Sequence, residues 1–317
     1  MAGARRRTPL TVLVLAAGQG TRMQSKHGKL LHPVAGRPMA VWAIEAVTAL
    51  RPSRVITVVG HQAERVREAV AETGTEFVLQ REQRGTGHAV REGLKALGRD
   101  ATGTILIVNG DLPTLRRETL RRLVRRHRDR SASLTLLTAI VDDPTGYGRV
   151  VRDGGSPSRI VEHRDADAAT RAIAEINVGI YCAELADLVP ALKRLRPDNA
   201  QGEYYLTDAV HDLIDRGRNV AAIVHDGAAE EILGVNTRAE LARASATLYG
   251  RKSDALMAAG VSILAPERTW IDPRARIGRD TTIHPDVHVE GRSVIGEDCV
   301  VRPGCRIVDS RIGNEVE

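Results

Sequence analysis

The chain has 317 residues, of which 42% are hydrophobic and 27% are charged, and this composition excludes a mainly disordered protein. Its length favours two domains over one core, and no run approaches the roughly 18 apolar residues of a membrane-spanning helix, so we expect no membrane partner. The net charge of +6 leaves nucleic-acid binding open. Three cysteines without a CxxC spacing favour a reducing, cytoplasmic setting.

The N-terminal end has a basic cluster, Arg5-Arg6-Arg7, followed by an apolar run, and this order superficially resembles a secretory signal peptide. The apolar run continues into Gly18-Gln19-Gly20 instead of a small-residue cleavage site, so we reject that interpretation. We expect residues 1–9 to be a disordered basic N-terminus.

The basic residues are mostly arginine, 41 of 46, and they are densest between 116 and 130. Leu115, Leu120, Leu123 and Val124 recur there at helical spacing, which predicts an amphipathic helix with its arginines on the solvated face. A polyanion site on that face is the less favoured alternative. With one Phe in the chain, the aromatic platform typical of single-strand binding is missing, and we expect no nucleic-acid partner.

The first two thirds of the chain alternate short β-branched runs with helical patterns. We predict buried parallel strands at 11–15, 54–59, 75–79 and 104–108, and helices near 38–50, 61–72 and 87–98. This alternation indicates right-handed βαβ units, so the fold class is α/β. Ligands of such sheets bind at the carboxyl ends of the strands, and candidate sites belong there.

After a helical pattern at 237–259, the sequence changes to a repeat of six residues. One aliphatic residue recurs in each hexad: Ile271, Ile277, Ile283, Val289, Ile295, Val301 and Ile307. This period is typical of a hexapeptide parallel β-helix, in which each aliphatic stacks on its counterpart in the next coil. Cys299 and Cys305 hold equivalent positions in adjacent hexads, so we expect stacked or neighbouring thiols and no zinc site.

Two strand ends carry residues suited to phosphate and metal chemistry. The first predicted strand runs into Gly18-Gln19-Gly20-Thr21-Arg22, with Lys29 seven residues further on, so backbone N–H groups and fixed cations could meet an anion there. A plain glycine turn explains the same residues equally well. Asp111 follows the fourth predicted strand and suits Mg²⁺, although it could equally cap the next helix.

Other polar residues beside predicted strands are ambiguous one at a time. Gln80 with Gly85 and Thr86 could read the edge of a base, but a loop leading into a helix is the simpler explanation, and we expect His88 to be packed and not catalytic. Individually, the remaining candidates fit turns better than sites: Gly148, Glu162, Asn177 and Asn236.

As a set, these segments resemble the bacterial family of bifunctional N-acetylglucosamine-1-phosphate uridylyltransferase/glucosamine-1-phosphate acetyltransferases, GlmU. The resemblance extends from about residue 10 to the end and rests on these segments: 15–23 (LAAGQGTRM), Gln80 with 85–89 (GTGHA), 109–111 (NGD), 142–149 (DDPTGYGR), 161–163 (VEH), 176–179 (INVG), 199–208 (NAQGEYYLTD) and 234–236 (GVN). The first segment alone marks the wider sugar-nucleotidyltransferase superfamily, whereas the ordered set is more specific.

The resemblance implies roles for individual residues. It assigns Arg22 and Lys29 to the phosphates of the nucleotide, and we hypothesise that both act in catalysis by stabilising the departing pyrophosphate. It assigns the nucleotide to Ala16, Ala17, Gly18, Gly20, Thr21, Gln80, Gly85 and Thr86. It assigns Mg²⁺ to Asp111 and Asn236, and the amino sugar to Gly148, Glu162 and Asn177.

The resemblance also implies an architecture. A Rossmann-like nucleotidyltransferase domain at 10–235 would be joined by a linking helix at 236–262 to a partial left-handed β-helix of hexapeptide repeats at 263–317. We expect this β-helix to form a homotrimer. The acetyltransferase site of the family lies further along the β-helix, so we expect no acetyltransferase activity from these 317 residues.

The implied activity is a Mg²⁺-dependent uridylyltransferase that makes UDP-N-acetylglucosamine for cell-wall precursors from UTP and an amino-sugar 1-phosphate. Two alternatives remain open: a paralogue for another sugar phosphate or nucleotide, and a non-catalytic trimeric scaffold. The scaffold alternative rests on two departures from the family pattern, Gln19 in place of a frequent lysine and Gly28 in place of a proline before Lys29.

Overall fold

The structure is a computed structural model, and it describes residues 8–98 and 100–317. Residues 1–7, which hold most of the expected disordered N-terminus, lie outside that part. The chain divides into two compact units. The first comprises the residues up to Leu31 together with Met39–Gly234, and the second comprises His32–Pro38 together with Val235–Glu317.

The described residues form eight α-helices and twenty strands. The helices are α1 Met39–Thr48, α2 Ala63–Ala69, α3 Thr86–Lys95, α4 Arg117–Asp129, α5 Ala168–Arg171, α6 Leu185–Arg194, α7 Leu206–Asp215 and α8 Arg238–Ala258. The strands up to the long helix are β1 Leu10–Ala16, β2 Pro33–Val34, β3 Arg37–Pro38, β4 Arg54–Val59, β5 Glu76–Leu79, β6 Thr104–Asn109, β7 Leu134–Ile140, β8 Gly148–Asp153, β9 Ser156–Val161, β10 Glu175–Glu184 and β11 Val220–Val224.

After α8 the strands are short. They are β12 Ser262–Ile263, β13 Trp270–Ile271, β14 Arg276–Ile277, β15 Thr282–Ile283, β16 His288–Glu290, β17 Val294–Ile295, β18 Val300–Val301, β19 Arg306–Val308 and β20 Arg311–Ile312. No helix in the described part of the chain is long and apolar enough to cross a membrane.

The first unit is built on a mixed sheet with the order β11-β7-β10-β6-β1-β4-β5, to which β8 and β9 are added beside β10. The four strands predicted from the sequence, β1, β4, β5 and β6, are parallel neighbours, which confirms that part of the α/β prediction. The chain leaves β1 toward β4 and β5 on one side and returns to β6 on the other. The order of the strands therefore reverses at β1, and this is where such sheets bind ligands.

The helices of the first unit bury apolar stripes against the sheet. A single cluster joins Leu13, Ile56 and Ile107 of the central strands to α3, α6 and α7. The predicted arginine-rich helix is α4, in which Leu120 and Leu123 are fully buried. The sequence placed the end of α2 too late, because residues 71–73 form a separate 3-10 turn.

The second unit contains three stacks of short parallel strands. The stacks are β12-β15-β18, β13-β16-β19 and β14-β17-β20, so three hexads make one coil. Ile271 pairs with Val289, and Val289 pairs with Ile307, in successive coils. The aliphatic side chains of all three stacks form one core, which confirms the hexapeptide prediction.

The two repeat cysteines do not stack in successive coils, so only the other expected arrangement, neighbouring thiols, stays open. Counterparts in successive coils are separated by three hexads, so Cys299 and Cys305 precede strands of different stacks. Cys299 instead lies next to Thr281, whose Oγ1 accepts a hydrogen bond from the Cys299 backbone N–H at 3.1 Å. Both thiols are free and face the same apolar core.

Candidate active site

The loop after β1 brings a glycine turn against Lys29. Gly20 adopts a left-handed conformation (φ 67°), and a Cβ there would overlap the side chain of Lys29. A Cβ on Gly18 would meet nothing within 4 Å, and Gly18 and Gln19 are exposed. The backbone between them is therefore open to a ligand, as phosphate binding requires.

Lys29 and Asp111 form an ion pair where β1 and β6 end. The Lys29 Nζ atom lies 2.5 Å from Asp111 Oδ2, and the two side chains are only 12% and 20% exposed. The backbone before Asp111 is held against β1, because the Gly110 N–H donates a hydrogen bond to the carbonyl of Leu15 at 2.8 Å. The structure thus places a fixed cation and a carboxylate together at the edge predicted from the sequence.

Two hydrogen bonds with the Gln62 side chain fix the backbone of the segment before Lys29, where glycine replaces the proline that is usual in the family. The Gly28 backbone N–H donates to Gln62 Oε1 at 3.0 Å, and Gln62 Nε2 donates to the carbonyl of Lys26 at 2.9 Å. Gly28 is buried, and Lys29 opens the 3-10 turn that follows it. A side chain that sequence reasoning did not single out therefore fixes the segment that leads to Lys29.

Gln80, Gly85 and Thr86 come together at the ends of β5 and α3. Gln80 is 2% exposed, and its Nε2 donates to the Gly85 carbonyl at 3.3 Å and lies 3.0 Å from His88 Nδ1. Gly85 has φ 101°, and a Cβ there would lie 2.6 Å from the carbonyl oxygen of Tyr204. His88 is packed, as predicted, and its position shows that it orients the amide of Gln80.

Gly148, Glu162 and Asn177 form a second group. Gly148 is the register partner of Asn177 across β8 and β10, and a Cβ on Gly148 would lie 3.4 Å from the Glu162 carboxylate. The Thr207 hydroxyl donates to Glu162 Oε1 at 3.2 Å, and Asn177 Nδ2 donates to the Tyr181 hydroxyl at 2.6 Å. Neither contact has a sequence signal, because each depends on tertiary packing.

Burial raises the pKa of Glu162, and the nearby carboxylates of Asp165, Asp208 and Glu203 raise it further. The hydrogen bond from Thr207 acts in the opposite direction. The Tyr181 pKa is also raised, mainly by burial. The second group therefore combines a carboxylate that is costly to ionise with neutral hydrogen-bonding groups, which suits the hydroxyl and amide groups of a sugar.

Two close approaches link the phosphate-binding loop and the end of β6 to the group that contains Gly148 and Asn177. Arg22 is exposed, and its Nη1 lies 3.8 Å from the point that a Cβ on Gly146 would occupy, two residues before Gly148. A Cβ on Gly179 would lie 2.5 Å from Asn109 Nδ2, so the end of β6 meets β10 two residues after Asn177. Of the remaining nucleotide candidates, Ala16 is the last residue of β1, and Ala17 and Thr21 follow it in the loop.

Asn236, the second predicted metal ligand, belongs to the second unit. It precedes α8, which begins with a capping box of Thr237 and Glu240. The Asn236 backbone N–H donates to Glu240 Oε2 at 2.6 Å, so the backbone at this position is fixed by the start of the helix. Its metal role stays a prediction.

Comparison with known proteins gives the same division of the chain. Residues 12–201 match the MobA-like NTP transferase domain, and residues 274–309 match six bacterial transferase hexapeptide repeats. The bifunctional protein GlmU of Geotalea uraniireducens is 44% identical over 310 residues, which cover 97% of this chain and 67% of that protein. The chain belongs to the GlmU family.

Other relatives agree with this assignment. The bifunctional protein GlmU of Listeria monocytogenes serotype 4a is 46% identical over 306 residues, and that of Caldanaerobacter subterraneus subsp. tengcongensis is 44% identical over 306. The chain spans about two thirds of the length of these curated relatives. A solved UDP-glucose pyrophosphorylase with bound UDP-glucose shares the fold, with a TM-score of 0.59 and 16% identity over 77% of this chain and 99% of that one.

Proposed function

We propose that the chain is a Mg²⁺-dependent uridylyltransferase that makes UDP-N-acetylglucosamine and pyrophosphate from UTP and N-acetylglucosamine 1-phosphate. The observation that carries this proposal is the meeting of Lys29 and Asp111 at 2.5 Å beside the open glycine loop. Membership of the GlmU family and the two matched domains support it.

The carboxylate end of this pair fits a magnesium ion. Mg²⁺ is usually held by one or two carboxylates, water and substrate phosphate oxygens, and not by a cage of protein ligands. Among the described residues, no cluster of three or more His, Cys, Asp or Glu side chains is suited to a metal. Asp111 supplies a single carboxylate after the end of β6. When bound there, Mg²⁺ would draw charge from the phosphates of the nucleotide.

In the proposed reaction an oxygen of the sugar 1-phosphate attacks the α-phosphorus of UTP. The new P–O bond forms as the bond from the α-phosphorus to the bridging oxygen breaks, and pyrophosphate leaves with that electron pair. Because the nucleophile is already an anion, no general base is needed, and alignment with charge neutralisation carries the catalysis.

Each group of residues then has one task. The open backbone from Gly18 to Gly20 would bind the phosphates, while Arg22 and Lys29 stabilise the charge of the leaving pyrophosphate. Gln80, fixed by His88, would hydrogen-bond the edge of uracil.

The second group would hold the amino sugar beside the reacting phosphates. Glu162 and Asn177 present acceptor and amide groups, and Gly148 leaves space beside the carboxylate.

The hexapeptide repeats support a further part of the proposal, association into a homotrimer. In the second unit, Leu264 and Val308 are 57% and 47% exposed, so apolar surface is available on the repeats. Sedimentation equilibrium on the chain tests this: a trimer mass supports the proposal, and a monomer mass at micromolar concentration contradicts it.

The catalytic proposal is tested by measuring pyrophosphate release over a matrix of nucleotides and sugar 1-phosphates with Mg²⁺. Release that depends on UTP together with N-acetylglucosamine 1-phosphate supports it. Greater release with another pair would indicate the paralogue, and no release with any pair would indicate a scaffold.

A further inference from the structure

A groove of about 1080 Å³ runs along α4 in the first unit. Its other walls are Leu10, the segment Ala49–Arg51 after α1, and the loop that follows β11, which includes His225 and Glu231. None of these described residues belongs to the candidate active site. The volume is slightly above the range of about 300–1,000 Å³ that is usual for small-molecule sites.

The groove carries a large excess of positive charge. Seven arginines line it against three acidic residues, Glu118, Asp129 and Glu231, and α4 with the residue before it supplies six of the seven. The six are Arg116, Arg117, Arg121, Arg122, Arg125 and Arg128. The sequence favours a solvated helix face here, whereas the structure shows that this face is one wall of a concave surface.

Carboxylates neutralise only part of this charge. Three arginines have acidic partners: Arg116 with Glu231 at 3.7 Å, Arg117 with Glu118 at 2.9 Å and Arg122 with Asp226 at 2.6 Å. The other four, Arg51, Arg121, Arg125 and Arg128, form no ion pair with any residue in 8–98 or 100–317, although the charge of Arg121 still acts on Glu118 and that of Arg128 on Glu184. Four guanidinium groups on this groove are therefore not neutralised by a direct acidic partner in the described chain.

The spacing on α4 places these charges in a column. Arg121 and Arg125 are four residues apart and Arg128 follows three later, so all three lie on one side of the helix. Like charges at this spacing destabilise a helix. An anion bound along the column would remove that repulsion, and the planar guanidinium group matches phosphate oxygens in a bidentate manner.

A buried polar atom in the groove wall also lacks a partner. The His225 side chain is 1% exposed and its Nε2 lies 3.3 Å from the carbonyl oxygen of Ala228. Its Nδ1 is buried and has no hydrogen-bond partner among the described residues. Because Nε2 faces a carbonyl and must donate to it, Nδ1 of the neutral ring is an acceptor, so recognition of an anion in this groove rests on the arginines and not on His225.

We propose that this groove binds an inorganic oligophosphate, a chain of linked phosphates recognised through its charge. Within the described part of the chain no Trp, Tyr or Phe lines the groove, so it offers no stacking platform for a nucleic-acid base. Phosphate charge is what the groove can recognise, and this site is independent of the proposed catalytic activity.

The test is calorimetric titration of the full chain with tripolyphosphate and with a longer inorganic polyphosphate. The variant R121Q/R125Q removes two unpaired groove charges and keeps good helix formers on an exposed face. Its matched control is R159Q/R196Q, which removes two exposed arginines of the same unit that do not line the groove. Thermal melts of all proteins verify that each variant is folded.

We expect saturable binding to the wild type and a loss of about tenfold or more in R121Q/R125Q, while the control stays within about twofold. The slope of log affinity against log salt should fall by about two in the groove variant, since each lost phosphate contact contributes about one. Equal losses in the two variants, or no saturable binding to the wild type, would overturn the proposal.

Two further arms of the titration separate the groove from a second binding site and from a second ligand class. Tripolyphosphate could also occupy the candidate active site, so the titration is repeated with Arg22→Ala, in which the component of binding that R121Q/R125Q loses should persist. Loss of binding in Arg22→Ala with none in R121Q/R125Q would refute a groove site. A single-stranded oligonucleotide of equal phosphate number should bind more weakly, and tighter binding would contradict the assigned ligand class.

Discussion

The Lys29 ammonium group and the Asp111 carboxylate, 82 residues apart in the chain, are 2.5 Å apart at the carboxyl edge of the sheet. The ammonium group is bound to Asp111 Oδ2, an oxygen that a divalent cation would also use as a ligand. Nucleotide phosphates offer Lys29 an alternative partner, so metal and nucleotide should assist each other in binding.

Replacing Lys29 by Met should therefore raise the affinity of the nucleotide-free chain for Mn²⁺, by about tenfold if the ion pair contributes about 1.4 kcal/mol. Electron paramagnetic resonance of free Mn²⁺ measures this without any turnover. Lys29→Arg, which keeps the charge, and Lys26→Met, which removes an exposed lysine, should both behave as the wild type. Unchanged Mn²⁺ affinity in Lys29→Met would show that the ion pair does not compete with the metal.

Glu162→Gln should affect stability and substrate binding in opposite directions. Burial raises the pKa of Glu162, so the folded state binds more protons than the unfolded state, and wild-type stability falls as pH rises above about 4.5. The glutamine of the variant does not titrate, so the variant should be the more stable protein at pH 8, and the difference should shrink toward pH 4.5. Calorimetric melts across this range measure it.

The same substitution should weaken binding of N-acetylglucosamine 1-phosphate at pH 8, because an amide accepts weaker hydrogen bonds than a carboxylate. Parallel titrations of the wild type and the variant with this ligand test the loss. A variant that is both less stable and equally good at binding would contradict the role of Glu162 in the second group.

His211 gives a second pH dependence with the opposite sign. Burial lowers the pKa of His211 and outweighs the nearby Asp208 carboxylate, which acts in the opposite direction, and the His211 Nε2 accepts a hydrogen bond from the Ile160 backbone N–H at 2.9 Å. The unfolded state binds more protons, and stability should therefore decrease as pH falls below about 6.5. In His211→Gln, whose amide oxygen can still accept, this part of the acid destabilisation should be smaller. Equal acid sensitivity of the two melting curves would exclude His211 as its source.

Gly85→Ala should destabilise the first unit more than a positive φ alone explains. Gly74 has φ 68° and ψ 17°, in the left-handed region, with nothing near a Cβ, so Gly74→Ala measures the cost of that region alone, about 1–2 kcal/mol. Gly85 has φ 101° and ψ 173°, a region essentially restricted to glycine, and its Cβ would also lie 2.6 Å from the carbonyl oxygen of Tyr204, so the total loss should exceed that of the control. Urea unfolding of both variants gives the difference, and equal losses would mean that the loop moves aside freely.

The sequence predicted those features of the molecule that repeat or lie next to each other in the chain. The hexads specify the β-helix because one inward aliphatic recurs every six residues, and the strand ends point to Gly18, Gln80 and Asp111 because parallel strands end at one edge. Their roles in binding required the resemblance to a known family.

Contacts between distant segments could not be predicted from these patterns. The pairing of Lys29 with Asp111, the support of Gly28 by Gln62 and the orientation of Gln80 by His88 all depend on packing. The separation of Cys299 from Cys305 follows from a coil of three hexads, which the period of six does not itself reveal. The sequence predicted a solvated face for the arginines of α4. The opposite walls of their groove come from residues 49–51 and 225–231, which are distant in the chain and which the helical pattern does not reveal.

The most direct test of the central claim is pyrophosphate release from UTP and N-acetylglucosamine 1-phosphate by the wild type and by Asp111→Asn, with and without Mg²⁺. The proposed function predicts Mg²⁺-dependent release by the wild type and a loss of at least about 100-fold in the variant, since the carboxylate acts where charge is neutralised during the transfer. Asp143→Asn, at an exposed turn, should keep wild-type release. Release by Asp111→Asn at the wild-type rate, or none by the wild type, would contradict the claim.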